Sequence, residues 1–482
     1  MSEFDYDVIV CGVGTAGQTA ATFAANRGGR VLAVDIADEI GGNTSRSTGQ
    51  MSAAGTRIQE ERGIHDTADL HYDDVMRISH NTADPMVVRR AVDNAADTFH
   101  WLLDNGLELL PDMPVIFKGH EPYQIARTYW GPNRGGKPLQ TVLGSQFKKA
   151  EESGNLELML ETEVVELVQD SDSRIKGVVI KEKGGERTTV SAPNVLLSMG
   201  GFASNPELFP KYSNGYPLFK GGAGFASHPY ANGRGHELGE KAGGYIRYQD
   251  YFMPTFGRVK DPKDPSYVSS VTRIMTTSLL GPRTLWEIFV NWDGERFVAE
   301  DSESPDAKEL ALLTIPDLTF WAVFDQRARE ESDCIYVDMT HEEADTLYNH
   351  HESFRKADSL EALAHSMDVN VTGLVETVSR YNAFVDSGQD EDFGRTDLPA
   401  SIGEPPFYGI KHHGLSITSF AGLAVNENFE LIRPDGSVIP GLFAAGECLG
   451  LGSTSGRSFC GGMALMPAMT FGRLLGERIW QW

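Results

Sequence analysis

The sequence predicts an α/β fold built on a dinucleotide-binding unit and interrupted by a long insertion. Three observations predict it. A β-α-β unit with a glycine triplet fills the first thirty-five residues. A set of short apolar strands follows between about residues 155 and 200. A second apolar strand, ending in Gly446-Glu447 and followed by a glycine-rich helix start, closes the chain.

Asp7-Val8-Ile9-Val10-Cys11 reads as a buried strand. Gly12-Val13-Gly14-Thr15-Ala16-Gly17 opens a small-residue helix, Gly28-Gly29 stops it, and Val31–Val34 is a second strand ending in Asp35. A G-x-G-x-x-G alone is a weak signal, but between a strand and a helix, with an acid eighteen residues after Gly17, it is a dinucleotide fingerprint. Gly12 makes the turn, Gly14 lets a pyrophosphate reach the backbone, and Gly17 packs helix on strand. The helix N-terminus, at Thr15 and Ala16, faces the phosphates, and Asp35 accepts from a ribose. Apolar periodicity predicts a helix over 85–110 and further helix over 355–385, and alternation predicts strands over 155–200, including Val164. In the C-terminal unit the strand 441–445, the pair Gly446-Glu447 and the helix start Gly462-Met463-Ala464 form a second set of groups for the same ligand.

Composition bounds the function. The chain has 482 residues, long enough for roughly two to four domains. Its net charge of −26 argues against nucleic acid or an anionic membrane as a main partner. Four cysteines without CxxC or Cys/His spacing exclude a disulfide scaffold, a c-type haem and a recognisable iron–sulfur or other metal site. No signal peptide and no apolar run of about 18 residues is seen, so a cytoplasmic protein without a membrane span is expected.

Four segments taken in order resemble the FAD-dependent oxidoreductases of the fumarate reductase and 3-ketosteroid dehydrogenase superfamily. Gly41-Gly42-Asn43-Thr44-Ser45 is similar to the GGNT/S segment that lies along the pyrophosphate and flavin. Gly200-Gly201-Phe202-Ala203-Ser204-Asn205 is similar to TGGF-x-x-N, Asn291–Phe297 to N-x-x-G-x-R-F, and Leu442–Glu447 to the closing strand. The resemblance implies a Rossmann-like FAD-binding domain of the glutathione-reductase type from residues 1–221 and 412–482, with an inserted α+β cap domain over 222–411. FAD is expected to be noncovalent, because Ser45-Arg46-Ser47-Thr48-Gly49 offers no histidine where the membrane-bound relatives attach theirs. Gly49 is counted with the flavin-binding segment.

The implied chemistry is hydride exchange between flavin N5 and a substrate carbon, interconverting C–C and C=C beside a carbonyl. Arg283, eight residues before Asn291, has the spacing of the family's proton-relaying arginine; a cap salt bridge is the other reading. His228, in Ser-His-Pro, resembles a substrate-binding histidine, and Arg457 a carboxylate-binding arginine. Ser458 stands where ketosteroid dehydrogenases carry a carbonyl-binding tyrosine, with the Gly462 N–H beside it as a second donor. Tyr129, Tyr251 and Trp286 belong to a set of aromatics around the expected pocket, the two phenols as reserve acid/base groups. Thr418-Ser-Phe-Ala-Gly422 replaces the histidine-containing HTMGG of fumarate reductases. The expectation is therefore a cyclic ketone or ketosteroid-like substrate, with a fumarate-reductase-like enoate reductase as the alternative. Electrons come from, or go to, a separate partner not identified by the sequence. A noncatalytic flavin-fold binding protein is the third reading.

Overall fold

The computed structural model describes residues 4–216, 224–225, 227–261, 264–268, 284–332, 335 and 340–481. In chain order the framework runs β1 (Val8–Cys11), α1 (Thr15–Asn26), β2 (Val31–Val34), α2 (Pro85–Asp104), β3 (Leu156–Met159), β4 (Val195–Leu197), β5 (Ile288–Val290), α3 (Pro305–Leu312), β6 (Thr319–Phe324), β7 (Phe354–Ala357), β8 (Phe407–Ser416), β9 (Glu430–Ile432), β10 (Val438–Ala444) and α4 (Leu465–Gly476). The protein is a mixed α/β structure.

One sheet has the order β9-β10-β4-β1-β2-β3. All its neighbours are parallel except the edge pair β9–β10. Every residue of β1 and β2 is buried, which is why both read as continuous apolar runs instead of alternating ones. The alanine- and glycine-rich faces of α1 and α4 let the two helices touch backbone to backbone. A Cβ on Gly472 would stand 2.4 Å from the Ala16 carbonyl oxygen. The closing helix is thereby fixed to the first β-α-β unit, and the two glycine-rich ends of the chain share one layer.

The stretch 155–200 is stranded as expected: besides β3 and β4 it supplies a three-stranded antiparallel sheet from Thr162–Gln169, Ile175–Glu182 and Arg187–Ser191. Helix α2 starts behind Asp84, whose Oδ1 accepts from the N–H groups of Met86 (2.9 Å) and Val87 (3.2 Å), a normal N-cap with proline in the first turn. Its expected stripe is inside, with Trp101 and Leu103 only half-buried. The segment 355–385 is not all helix. It begins as strand β7, which pairs with β8, before the helices Leu360–Met367 and Val371–Ser387. Local periodicity misses a four-residue strand whose partner lies fifty residues away.

A second sheet is assembled from the insertion. β8 is its central strand, pairing with β6 from Thr319↔His413 to Phe324↔Tyr408 and with β7 on its other side. β8 runs through Ser416, so the expected boundary at 411/412 falls inside a continuous buried strand.

Candidate active site

The loop after β1 and the start of α1 build the first half of the site. Gly14 is the N-cap of α1 and brings no capping side chain, so the first N–H groups of the helix are left for a ligand. A Cβ on Gly14 would meet nothing within 4 Å: the space above it belongs to a cavity. Gly17 does not line that cavity. A Cβ there would lie 1.9 Å from the Gly12 carbonyl oxygen, which is the packing role the fingerprint assigns to it. Asp35 accepts from the N–H groups of Val13 (Oδ2, 2.6 Å) and Ala37 (Oδ1, 2.9 Å). Each carboxylate oxygen keeps a further lone pair for a ribose hydroxyl.

The cavity, about 560 Å³ in volume, runs along both glycine-rich ends of the chain. Its nucleotide half is lined by Gly12, Gly14, Thr15, Ala16, Asp35 and Val164. Gly42, Asn43, Gly200, Gly446 and Glu447 carry the wall onward to Gly462, Met463 and Ala464. Asn43 ties this wall together: its Nδ2 donates to Ser227 Oγ (3.0 Å), and its Oδ1 accepts from the His228 N–H (2.6 Å). Thr44 lies beneath the wall, sharing a hydrogen bond with Thr15 (2.7 Å) and donating to the Gly41 carbonyl (2.7 Å). Ser45 and Gly49 also stay off the cavity surface. Gly49 has φ +69°, and a Cβ there would run into the Gly135 carbonyl at 2.4 Å, so it serves close packing of the 41–49 loop. Glu447 is buried in the wall and accepts from the Ser419 N–H at 2.8 Å. Burial pushes its pKa up, against the hydrogen bonds from Ser419, Thr418 and Asn43.

The lining also includes Leu415, Ile417, Thr418, Leu451 and Phe459, with Gln50, His120, Thr255 and Glu309 among its polar members; Thr255 pairs with Leu415 and the His120 ring stacks on Phe459. Motif reading identified neither these four polar members nor Phe459. They come from five separate segments, and no spacing rule links them.

The expected substrate residues are placed differently. His228 lines the cavity on the nucleotide side, because Asn43 holds its backbone there; burial, then the charge of Arg46, lowers its pKa. Arg457 is exposed, ion-paired with Asp250 and lying over the Tyr251 ring at 4.7 Å. Tyr251 donates to the Thr82 carbonyl (3.2 Å) and is not part of the lining. Tyr129 is fully buried, bonded to Thr56 (2.6 Å) and packed on Phe99 with centroids 4.3 Å apart. Strand pairing of Thr128–Tyr129 with Met51–Ser52 turns it into that separate core. Trp286 is half-buried beneath Arg327, 6.0 Å from its ring. Ser458 is fully buried and donates to Asp306 of α3, away from the cavity. Arg283 lies outside the described residues.

Asp306 is 4% exposed, and burial pushes its pKa up to about 6 from the ordinary 3.8, with the Ser458 hydroxyl opposing the shift. The unfolded chain loses this proton at lower pH than the folded one, so between those values stability falls as pH rises. The cost, on the order of 3 kcal/mol at about 1.4 kcal/mol per pH unit, is complete above about pH 6 and absent below about pH 4. Asp306→Asn is expected to remove this component. Urea unfolding at pH 4.5 and 7.0 checks it; parallel pH dependences for the two proteins would refute it.

An uncapped helix start, an open glycine cradle and an acid at the end of β2 define a dinucleotide-dependent enzyme. Residues 7–463 match the family described as the FAD binding domain, and the chain belongs to that family. It is 30% identical over 478 residues to a fumarate reductase (cytochrome) of Shewanella frigidimarina, covering 98% of this chain and 76% of that one. The open conformation of a flavocytochrome c3 fumarate reductase superposes with a TM-score of 0.74 at 27% identity, covering 98% and 78% of the two chains. The 3-ketosteroid delta1-dehydrogenase of Sterolibacterium denitrificans shares the fold, with a TM-score of 0.78 at 18% identity and 99% of each chain covered. The protein is an FAD-dependent oxidoreductase of the fumarate reductase family, acting on CH–CH groups. Among the described residues no helix is long and apolar enough to cross a membrane.

Proposed function

We propose that this enzyme interconverts C–C and C=C bonds beside the carbonyl of an uncharged, ring-containing substrate such as a cyclic ketone. One observation carries the reading: among the described lining residues the cations sit on the 41–49 loop, beside Gly135 and against the Val164–Val165 strand, while the lining around Leu415 and Phe459 is apolar or neutral apart from Glu309. Arg46 belongs to the 41–47 segment. Arg134 adjoins Gly135, which packs on Gly49. Arg234 donates to the Val165 carbonyl at 2.8 Å. At the other end Leu415, Ile417, Leu451 and Phe459 face neutral Gln50, Thr255 and Thr418, with Glu309 as the charged group. A carboxylate substrate asks for a fixed guanidinium, and Arg457 is turned to solvent.

Bound FAD supplies hydride exchange at its N5. In this reading Gly12, Gly14, Thr15 and Ala16 hold its pyrophosphate, Asp35 its ribose, and Gly42, Asn43, Gly200, Gly446 and Glu447 its flavin side, without a covalent link. Gly462 polarises the substrate carbonyl. Its N–H donates to no group among the described residues, and at φ +79° a Cβ there would collide with the Ser52 N at 2.4 Å, so the position asks for glycine and leaves that N–H for a ligand oxygen. Ser458 acts indirectly, by holding the 458–462 loop to α3 through Asp306. Arg283 keeps the proton-relay role its spacing suggests. The unit contributed by the parallel sheet is the Rossmann-like FAD-binding domain, and the insertion, extended to Ser416, is the cap. The electron donor or acceptor is a separate molecule.

The test is anaerobic reoxidation of the photoreduced enzyme, followed at the flavin absorbance. Cyclic enones are expected to reoxidise it faster than fumarate or acrylate. Faster turnover of the acids would overturn the substrate assignment in favour of the enoate reductase reading, which the identity to a fumarate reductase favours.

A further inference from the structure

His120 lines the cavity beside Phe459, where no other described histidine does, and it belongs to none of the sequence motifs. Its ring stacks on Phe459, with centroids 5.4 Å apart and planes inclined by 28°, and meets the edge of Phe117 at 5.8 Å. Its Nδ1 is shielded from solvent and has no hydrogen-bond partner among the described residues. The residue is half-buried and lines the cavity. Burial holds its pKa down at about 4, so it is a neutral imidazole near neutral pH, with one donor and one acceptor nitrogen. A shielded ring nitrogen without a partner costs stability, on the order of 1–3 kcal/mol. Such groups are kept where a ligand completes them.

The position is built. Glu121, the next residue, accepts from Ser304, the N-cap of α3. Tyr123 donates to the Gly461 carbonyl at 2.6 Å, immediately before the Gly462 N–H. The loop carrying His120 is therefore bolted to α3 on one side and to the 458–462 loop on the other, and Phe459 fixes the plane of its ring. Two further neutral polar groups of the same wall also have no hydrogen-bond partner among the described residues, the Gln50 Nε2 and the Thr255 Oγ1.

We propose that His120 is a substrate-binding residue, its imidazole hydrogen-bonding an oxygen of an uncharged substrate whose ring lies in the apolar end beside Phe459. The inference rests on the reading of that end as the substrate end. It adds a specificity determinant: selection of substrates with a hydrogen-bonding oxygen in reach of His120 over isosteres that lack one. Neutral donors suit a ketone or hydroxyl oxygen, because they bind without demanding a counter-charge.

The experiment compares wild type, His120→Phe and His120→Asn. Phenylalanine keeps a ring against Phe459 without the hydrogen bond, while asparagine keeps a neutral donor and acceptor without the ring. All three are expected to bind FAD fully, since His120 makes no contact with the nucleotide half. The probe is the best cyclic enone from the reoxidation series, titrated against the oxidised enzyme by flavin difference absorbance and then assayed at steady state. His120→Phe is expected to weaken enone binding about tenfold, the equivalent of one hydrogen bond, and to raise KM with a smaller effect on kcat. His120→Asn is expected to recover part of the loss. Unchanged enone affinity in His120→Phe would overturn the proposal, as would equal losses in both variants, which would mark the ring as packing only. If the wild type instead turns over the acids, the substrate assignment fails alone. The same titration with the preferred acid then decides His120 on the same criteria.

Discussion

Gly14→Val is expected to yield a folded protein without bound flavin. Most glycine-to-valine changes in a dinucleotide loop confound two effects, because the new side chain strikes both protein and ligand. Here they separate. Gly14 has φ −77° and ψ −162°, an extended conformation open to any residue, and a Cβ there meets no protein atom within 4 Å. The isopropyl group is accommodated by the protein and occupies only the space between the 12–14 loop and the cavity. That is where the uncapped N–H groups of α1 point, and a pyrophosphate that loses their approach loses most of its anchoring. A drop of ~10²-fold or more in FAD affinity follows, about 2.8 kcal/mol at 1.4 kcal/mol per decade. Wild-type protein is expected to purify yellow and to release all its flavin as FAD on acid precipitation. The variant is expected to purify colourless, with a wild-type far-UV circular dichroism spectrum. Stoichiometric flavin in Gly14→Val would place the pyrophosphate elsewhere, and flavin left on the wild-type precipitate would contradict noncovalent binding.

The motif residues that line the cavity, Gly12, Gly14, Thr15, Ala16 and Asp35, are legible in the sequence because backbone cradles are local: a phosphate held by consecutive N–H groups asks for a contiguous string between a strand and a helix. Gly446-Glu447 and Gly462–Ala464, which line the same cavity, stand out as a second strand end and helix start for the same reason. The substrate end follows another logic. Phe459, His120, Thr255 and Gln50 are brought together by sheet topology and loop anchoring, and each segment alone reads as ordinary core or turn. The Arg457-Ser458-Phe459 run shows how far one turn of backbone matters. The short helical turn Gly452–Ser455 ends in Gly456 at φ +62°. After that reversal Arg457 points to solvent, Ser458 to Asp306 and Phe459 into the cavity. The sequence pattern identified the right loop and the wrong two side chains. Tyr129 was misread for a related reason: a two-residue strand pairing decides which of two cores receives its ring, and the aromatic composition of the segment is silent on that.

The largest stability loss is expected from Arg127→Met. Arg127 is fully buried, and its guanidinium forms a two-point contact with Asp66 (Nε–Oδ2 2.9 Å, Nη2–Oδ1 2.8 Å) and a third bond to Asp74 (2.8 Å). Asp66 is fully buried as well and also accepts from Gln59 (2.8 Å). Asp74 also holds the Gln124 N–H (2.9 Å) and Arg77. This cluster ties the helix Ala68–Ile78 to the end of the 117–127 segment, which carries His120 and Tyr123 to the substrate end. Methionine fills most of the volume but leaves two buried carboxylates facing each other, with Arg77, itself partly exposed, as the remaining cation. Breaking a buried pair in this way costs about 3–5 kcal/mol, a large share of a typical net stability of about 5–15 kcal/mol. The urea midpoint is expected to fall accordingly, and enone turnover to fall with it at temperatures where the variant is still folded, since the segment bearing His120 loses its anchor. The triple change Arg127→Met, Asp66→Leu, Asp74→Leu removes the stranded charges and is expected to recover much of the stability but not the turnover, because Gln124 still loses its acceptor. An unfolding free energy for Arg127→Met within about 1 kcal/mol of wild type would refute this and show that the segment is held by its contacts to Ser304 and Gly461 alone.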